Sequence, residues 1–164
     1  MKLLHPVLAI VIGLGALAPG RAVARLSLPP GFQDTVVIDS VFQPTAVRFA
    51  ADGRVFVAAK SGLIYVFDDL EDPSPQLFAD LSTNVMNYWD RGLTSIALHP
   101  SFPDEPYVYV LYSYDAPPGG TAPYWNDTCP TPPDPTRDGC PATGRLSRLR
   151  VGPDNTLVGG EEVL

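Results

Sequence analysis

Thr45-Ala46-Val47-Arg48-Phe49, then Asp52-Gly53, then Val55-Phe56-Val57-Ala58, then Ser61-Gly62, then Leu63-Ile64-Tyr65-Val66-Phe67: one unbroken stretch holds three short runs parted by two turn dipeptides. Side chains alternate between the two faces of a strand, so the period-two pattern of Thr45–Phe49 reads as β structure. Asp-Gly between two such runs marks a hairpin. An acidic, Pro-containing stretch over residues 68–75 leads to a fourth run, Gln76-Leu77-Phe78-Ala79.

The pattern then begins again. Leu93–Leu98 is a strand, His99-Pro100-Ser101-Phe102-Pro103 turns it, and Tyr107–Tyr112 is the next strand. A long loop, residues 115–143, precedes the alternating run Arg145–Val151, and Gly152-Pro153-Asp154-Asn155 turns into a last run from Thr156. Pro44–Phe49 corresponds to Leu93–Leu98, and Val55–Ala58 to Tyr107–Tyr112. Antiparallel four-stranded units recurring at about 40–50 residues are the mark of β-propeller blades. The pattern also admits a sandwich or a barrel. The expected architecture is all-β: two blades of a propeller, in the order blade 1 (44–80) and blade 2 (81–164, with the Cys-containing loop 115–143). A segment over 25–43, with a short strand at Thr35-Val36-Val37-Ile38, comes before them. Two blades cannot close a ring, because each blade buries its faces against its neighbours. The chain is therefore expected to be the N-terminal part of a larger protein.

Nineteen Pro and 14 Gly among 164 residues, about a fifth of the chain, exclude a helical bundle. An apolar fraction of 45% against 18% charged still allows a buried core. Eighteen acidic against 11 basic residues give a net charge of −7, with no basic run, which argues against nucleic acid as a partner. At the N-terminus Lys2, the apolar run Val7–Ala18 and Ala22-Val23-Ala24 have the layout of a secretory signal peptide, residues 1–24. The run is shorter than the roughly 20 residues of a membrane span, so no transmembrane segment is expected after cleavage. A retained N-terminal anchor is the alternative. Gly13-Leu14-Gly15-Ala16-Leu17-Ala18 fits a dinucleotide fingerprint, but Pro19-Gly20 forbids the helix that would have to follow. Export suits the cysteines. Cys129 and Cys140 are the only two, both in the Pro-rich loop, and a disulfide between them is the natural state in an oxidising compartment.

Chemistry-bearing motifs are sparse. His99 is the only histidine after the signal segment and no G-x-S-x-G occurs, which excludes a serine hydrolase site. Asp68-Asp69-Leu70-Glu71-Asp72 lacks the Gly-centred spacing of a calcium loop and reads as a solvated turn. Tyr88, Trp89, Tyr124 and Trp125 could stack on a sugar or a flat cofactor, or pack into blade and loop cores. Trp89-Asp90-Arg91-Gly92-Leu93 places two charges directly before the innermost strand of the second unit. Asp90 and Arg91 are thus candidates for the rim of a central channel, or else form a structural pair pinning a blade junction.

Pro44 to Ala58 resembles the first blade of the soluble glucose/sorbosone dehydrogenase family, secreted six-bladed propellers that use pyrroloquinoline quinone (PQQ). Arg91-Gly92-Leu93 through His99-Pro100-Ser101-Phe102, with Tyr107-Val108-Tyr109-Val110, resembles the second blade, and Gly144–Leu149 the strand after it. The resemblance covers residues 30–164. It implies a secreted or periplasmic PQQ-dependent aldose dehydrogenase, oxidising a sugar at C1 by base-assisted hydride transfer to PQQ held with Ca2+. Its partners would be a small-molecule sugar and an electron acceptor of unknown kind. In sugar-oxidising members the catalytic His falls in the following blade and the PQQ and calcium residues later still. No catalytic, cofactor or metal residue is therefore expected in this chain, which alone should be inactive, and His99 belongs to a turn. Asp90 stands where glucose-oxidising members place Gln. The alternative is a non-catalytic secreted propeller that binds a carbohydrate or a protein partner.

Overall fold

The structure, a computed structural model, describes residues 28–129 and 140–164. The signal-peptide reading of residues 1–24 lies outside the described residues. Contacts divide the chain into two units, residues 1–35 and Val36–Leu164. Of the first, residues 28–35 are described, and they hold a turn in which Phe32 N donates to Pro29 O at 3.2 Å.

The second unit is built of strands. β1 (Pro44–Phe49), β2 (Val55–Ala59), β3 (Leu63–Phe67) and β4 (Gln76–Asp80) form one antiparallel sheet in chain order. β5 (Leu93–Leu98), β6 (Tyr107–Tyr114), β7 (Thr143–Val151) and β8 (Leu157–Val163) form the other. Among the described residues no helix is long and apolar enough to cross a membrane. The β1–β2 turn is closed by Ala50 N donating to Arg54 O at 2.8 Å, with Gly53 at φ +99°, a conformation glycine adopts without strain. Asp52 in that turn accepts from the Arg54 guanidinium at 2.7 Å, and the Arg54 bond holds its carboxyl below the usual range.

One core joins the sheets. Phe56, Ile64, Val66 and Phe78 of the first face Ile96, Val108, Val110 and Leu149 of the second. β1 and β5, the first strand of each sheet, lie side by side. Thr45 Oγ1 donates to Leu93 O at 2.7 Å, and Leu93 N to Lys60 O at 2.9 Å, so the two sheets are pinned at the heads of β1 and β5. Two sheets related in this way, each a four-stranded meander with its first strand innermost, are propeller blades.

Thr35–Ile38 corrects the expectation of a short strand. Among the described residues it pairs with no other segment, and Val36 and Val37 are 76% and 60% exposed. A β-branched run becomes a strand only where a sheet edge offers it hydrogen bonds. Ile38 and, just beyond the run, Val41 instead pack on Val55, Val57 and Phe67 of the first sheet.

A polar knot sits inside the second blade. Glu161, half-buried on β8, accepts from Tyr112 Oη at 2.6 Å, from Asn84 Nδ2 at 2.8 Å and from Ser147 Oγ. Burial and the Glu161 carboxylate push the Tyr112 phenol far above its ordinary value of 10.0. A raised folded-state pKa keeps the proton on while the unfolded chain loses it. Its stabilisation is therefore intact below about pH 10 and drains away as pH rises above that. Urea midpoints measured between pH 9 and pH 12 should fall, and Tyr112→Phe should flatten that fall; an equal slope in both proteins would refute it.

Candidate functional site

Tyr88, Trp89, Asp90 and Arg91, with Tyr124, Trp125 and the disulfide, gather at one end of the blades, where the β4–β5 connector meets the β6–β7 loop. Hydrogen bonds hold the connector at several points along its length. Met86 N donates to Ser113 O at 2.8 Å, Asn87 N to Asp127 Oδ1 at 2.7 Å, Arg91 N to Tyr88 O at 2.9 Å. Lys60 Nζ donates to Asn87 Oδ1. Gly92 has φ +144°, and a Cβ built on it would lie 2.5 Å from Lys60 O, so only glycine lets the connector pass this close to the β2–β3 turn.

Asp90 and Arg91 are adjacent in sequence but separated in role. Asp90 is exposed, and the described ion pairs, Arg54–Asp52 and Arg148–Glu162, do not include it. Arg91 is half-buried and turns inward, its guanidinium donating to Cys140 O and lying 3.2 Å from Cys140 Sγ and 3.3 Å from Met86 Sδ. It therefore ties the connector to the loop across 49 residues of sequence. Cys140 is bonded to Cys129, their Cα atoms 5.5 Å apart. In the chain-entropy picture a loop of this size contributes about 3 kcal/mol. Reduction should lower the melting temperature and loosen Arg91 with it. A thermal scan with and without a reductant checks this, and an unchanged midpoint would contradict it.

Sequence reasoning missed Asp115. It is 1% exposed, yet its carboxylate accepts from the backbone N–H of Tyr124, Trp125 and Asn126 at 3.0–3.2 Å. Three donors satisfy a buried carboxylate and fold the loop back on the end of β6. The available signal was an Asp at the first position after an aromatic strand, heading a Pro-Gly-rich loop. Ser82, Thr83, Asn126 and Asp127 line an open hollow of about 330 Å³ beside it. The larger hollow, about 680 Å³, lies at the opposite end of the blades between Arg54 and Arg150. There Arg54 is paired with Asp52.

His99 lies at the far end of β5 from Asp90, about 20 Å away at the rise of a strand. Its Nδ1 accepts from Ser101 N at 3.2 Å and its ring stacks on Tyr109, which is a turn's role. Of the four aromatics, Tyr124 and Trp125 pack edge to face at 4.6 Å, and Trp125 Nε1 donates to Pro141 O. Trp89 is the most exposed of the four, at 70%, with Tyr124 at 53%.

A family model for glucose/sorbosone dehydrogenases matches residues 41–124, just over half of the chain. Among solved structures, a protein of Thermus thermophilus described as an oxidoreductase (glucose dehydrogenase) is 26% identical with a TM-score of 0.54. That match covers 77% of this chain and 30% of the other. The PQQ-bound aldose sugar dehydrogenase of Streptomyces coelicolor is 13% identical with a TM-score of 0.56, covering 79% of this chain and 31% of its own. The soluble aldose sugar dehydrogenase of Escherichia coli, in its apo form, is 17% identical with a TM-score of 0.52, again covering 79% and 31%. The last two bear on fold alone. The chain thus spans about 30% of the length of these structures. None of the curated proteins compared with it matches significantly.

Proposed function

The chain belongs to the glucose/sorbosone dehydrogenase family, and from that premise we propose that it supplies the first two blades of a secreted or periplasmic PQQ-dependent aldose dehydrogenase. The observation that carries this reading is the exposed Asp90 carboxylate, held by a rigid connector at the head of β5, inside the stretch the family model matches. On this reading Asp90 lines the mouth of the central channel and accepts hydrogen bonds from sugar hydroxyls, while Arg91 braces the loop behind it.

The residues described do not by themselves fit PQQ and its calcium. No three His, Cys, Asp or Glu side chains converge among them, and the guanidinium of Arg91 is engaged with Cys140. On this reading the base, the quinone and the calcium would be held by later blades of a closed ring, and no step of oxidation is assigned to this chain.

The test is an aldose-oxidation assay with PQQ, Ca2+ and an artificial electron acceptor. Residues 25–164 alone should give no turnover, and a longer product that closes the ring should turn over. In that longer protein Asp90→Asn should raise the KM for aldose several-fold with the melting temperature held. PQQ-dependent turnover by residues 25–164 alone would overturn the reading. A closed ring that binds aldoses without oxidising them would favour the second reading, a carbohydrate-binding propeller.

A further inference from the structure

Trp89 has a backbone conformation its side chain does not repay. Its φ is +53°, the left-handed region that costs a non-glycine residue on the order of 1–2 kcal/mol. Aromatic residues usually recover such a cost by burial, but this indole is 70% exposed. The strain is imposed by its neighbours. The connector is fixed on one side by Asn87 N to Asp127, and on the other by Arg91 to Cys140 and by Gly92 against Lys60. The indole is thus held outward on a rigid turn, and strain that persists under such constraint points to function.

The surroundings of the ring select a ligand. The Tyr88 ring lies 6.5 Å away at only 31° to the indole, so the two make a shallow aromatic platform. Beside it is the exposed Asp90 carboxylate, an acceptor of several hydrogen bonds. With a net charge of −7 the protein disfavours an anionic ligand. A neutral ring with one face of polarised C–H bonds and a rim of hydroxyl donors satisfies both groups: the C–H face meets the electron-rich indole, the hydroxyls meet the carboxylate.

We propose that Trp89 is a stacking platform for a pyranose ring, with Asp90 beside it accepting the sugar's hydroxyls. The proposal rests on the aldose reading above and adds the residue that would orient the ring.

Trp89 and Trp125 are the only tryptophans, so Trp125→Phe leaves the Trp89 indole as the sole reporter. Titrating that variant with glucose or xylose should give a saturable change in emission, and sorbitol, which has no ring face, should give none. Trp89→Gly, followed by calorimetry, should weaken aldose binding by about tenfold or more, the worth of one well-placed aromatic contact. Because glycine accepts a positive φ freely, its melting temperature should hold or rise. No saturable response to aldose, a response to sorbitol of equal size, or undiminished binding by Trp89→Gly would each overturn the proposal. So would a lowered melting temperature in Trp89→Gly, which would make the indole a structural group. These readouts need neither PQQ nor turnover. Aldose oxidation by a closed ring with Trp89→Gly and an unchanged KM sinks the platform and leaves the dehydrogenase reading standing. Binding without oxidation does the reverse.

Discussion

Gly92→Ala is expected to cost the protein about 3–5 kcal/mol, from three effects at one position. A Cβ at residue 92 would lie 2.5 Å from Lys60 O and 2.7 Å from Lys60 Cγ, and the closer of the two is backbone that no rotamer change can move. The φ of +144° is itself costly for any residue with a Cβ. Relief requires the connector to back away from the β2–β3 turn, which stretches the Leu93 N to Lys60 O bond and the Thr45 Oγ1 to Leu93 O bond beside it. Those two bonds pin one blade to the other, so the damage is not local. At roughly 2–4 °C per kcal/mol for a chain of this size, the melting temperature should drop on the order of 10 °C. Gly144→Ala is the control: it meets nothing within 4 Å and should leave the midpoint within a degree or two. Equal melting of the two variants would show that the approach of Lys60 to Gly92 does not hold the blades together.

That joint illustrates which parts of the molecule were legible in sequence. Strands are written locally: Val55–Ala59 and Leu63–Phe67 stand between turn dipeptides, and each pairs with its nearest neighbour in the chain, so alternation and turns suffice to place them. Thr35–Ile38 has the same composition and fails, because a strand also needs an open edge, which the run itself does not encode. Glu161 fails for a different reason. Gly159 and Gly160, both at φ +79°, break the alternation of β8, so that Arg150 pairs with Val158 but Leu149 with Glu161. Which of Glu161 and Glu162 turns toward Tyr112 is decided by that bulge and not by period-two counting. At the connector, Asp90 and Arg91 could be singled out as charges before an inner strand. Their division of labour could not, since the partner of Arg91 is a cysteine 49 residues on. The exposure of Trp89 was equally hidden, because an aromatic before a pair of charges reads the same whether it packs or points outward.

Phe56→Ala should cost about as much as any single change in the core, in the range of about 3–5 kcal/mol. The side chain is fully buried on β2, and its ring meets Phe78 of its own blade at 5.8 Å and Phe102 of the other at 5.6 Å, both edge to face. Arg54 closes the arrangement from outside, its guanidinium 4.8 Å from the centre of the Phe102 ring and bonded at 2.6 Å to Asn155 of the second blade. Truncation therefore empties the seam between two blades rather than a pocket within one, and neither sheet can collapse into the gap without drawing the other after it. A large share of a typical net stability of about 5–15 kcal/mol would go. Urea unfolding should keep a single transition and an unchanged m-value while its midpoint falls. Phe56→Leu, which keeps most of the volume, should lose under about 1.5 kcal/mol. Pairing Phe56→Leu with Phe102→Leu measures the contact across the seam: the double variant should be less destabilised than the sum of the singles by about 0.5–1.5 kcal/mol. Strict additivity would mean that the blades merely touch at these rings, and a second unfolding transition would mean that each blade holds its own core.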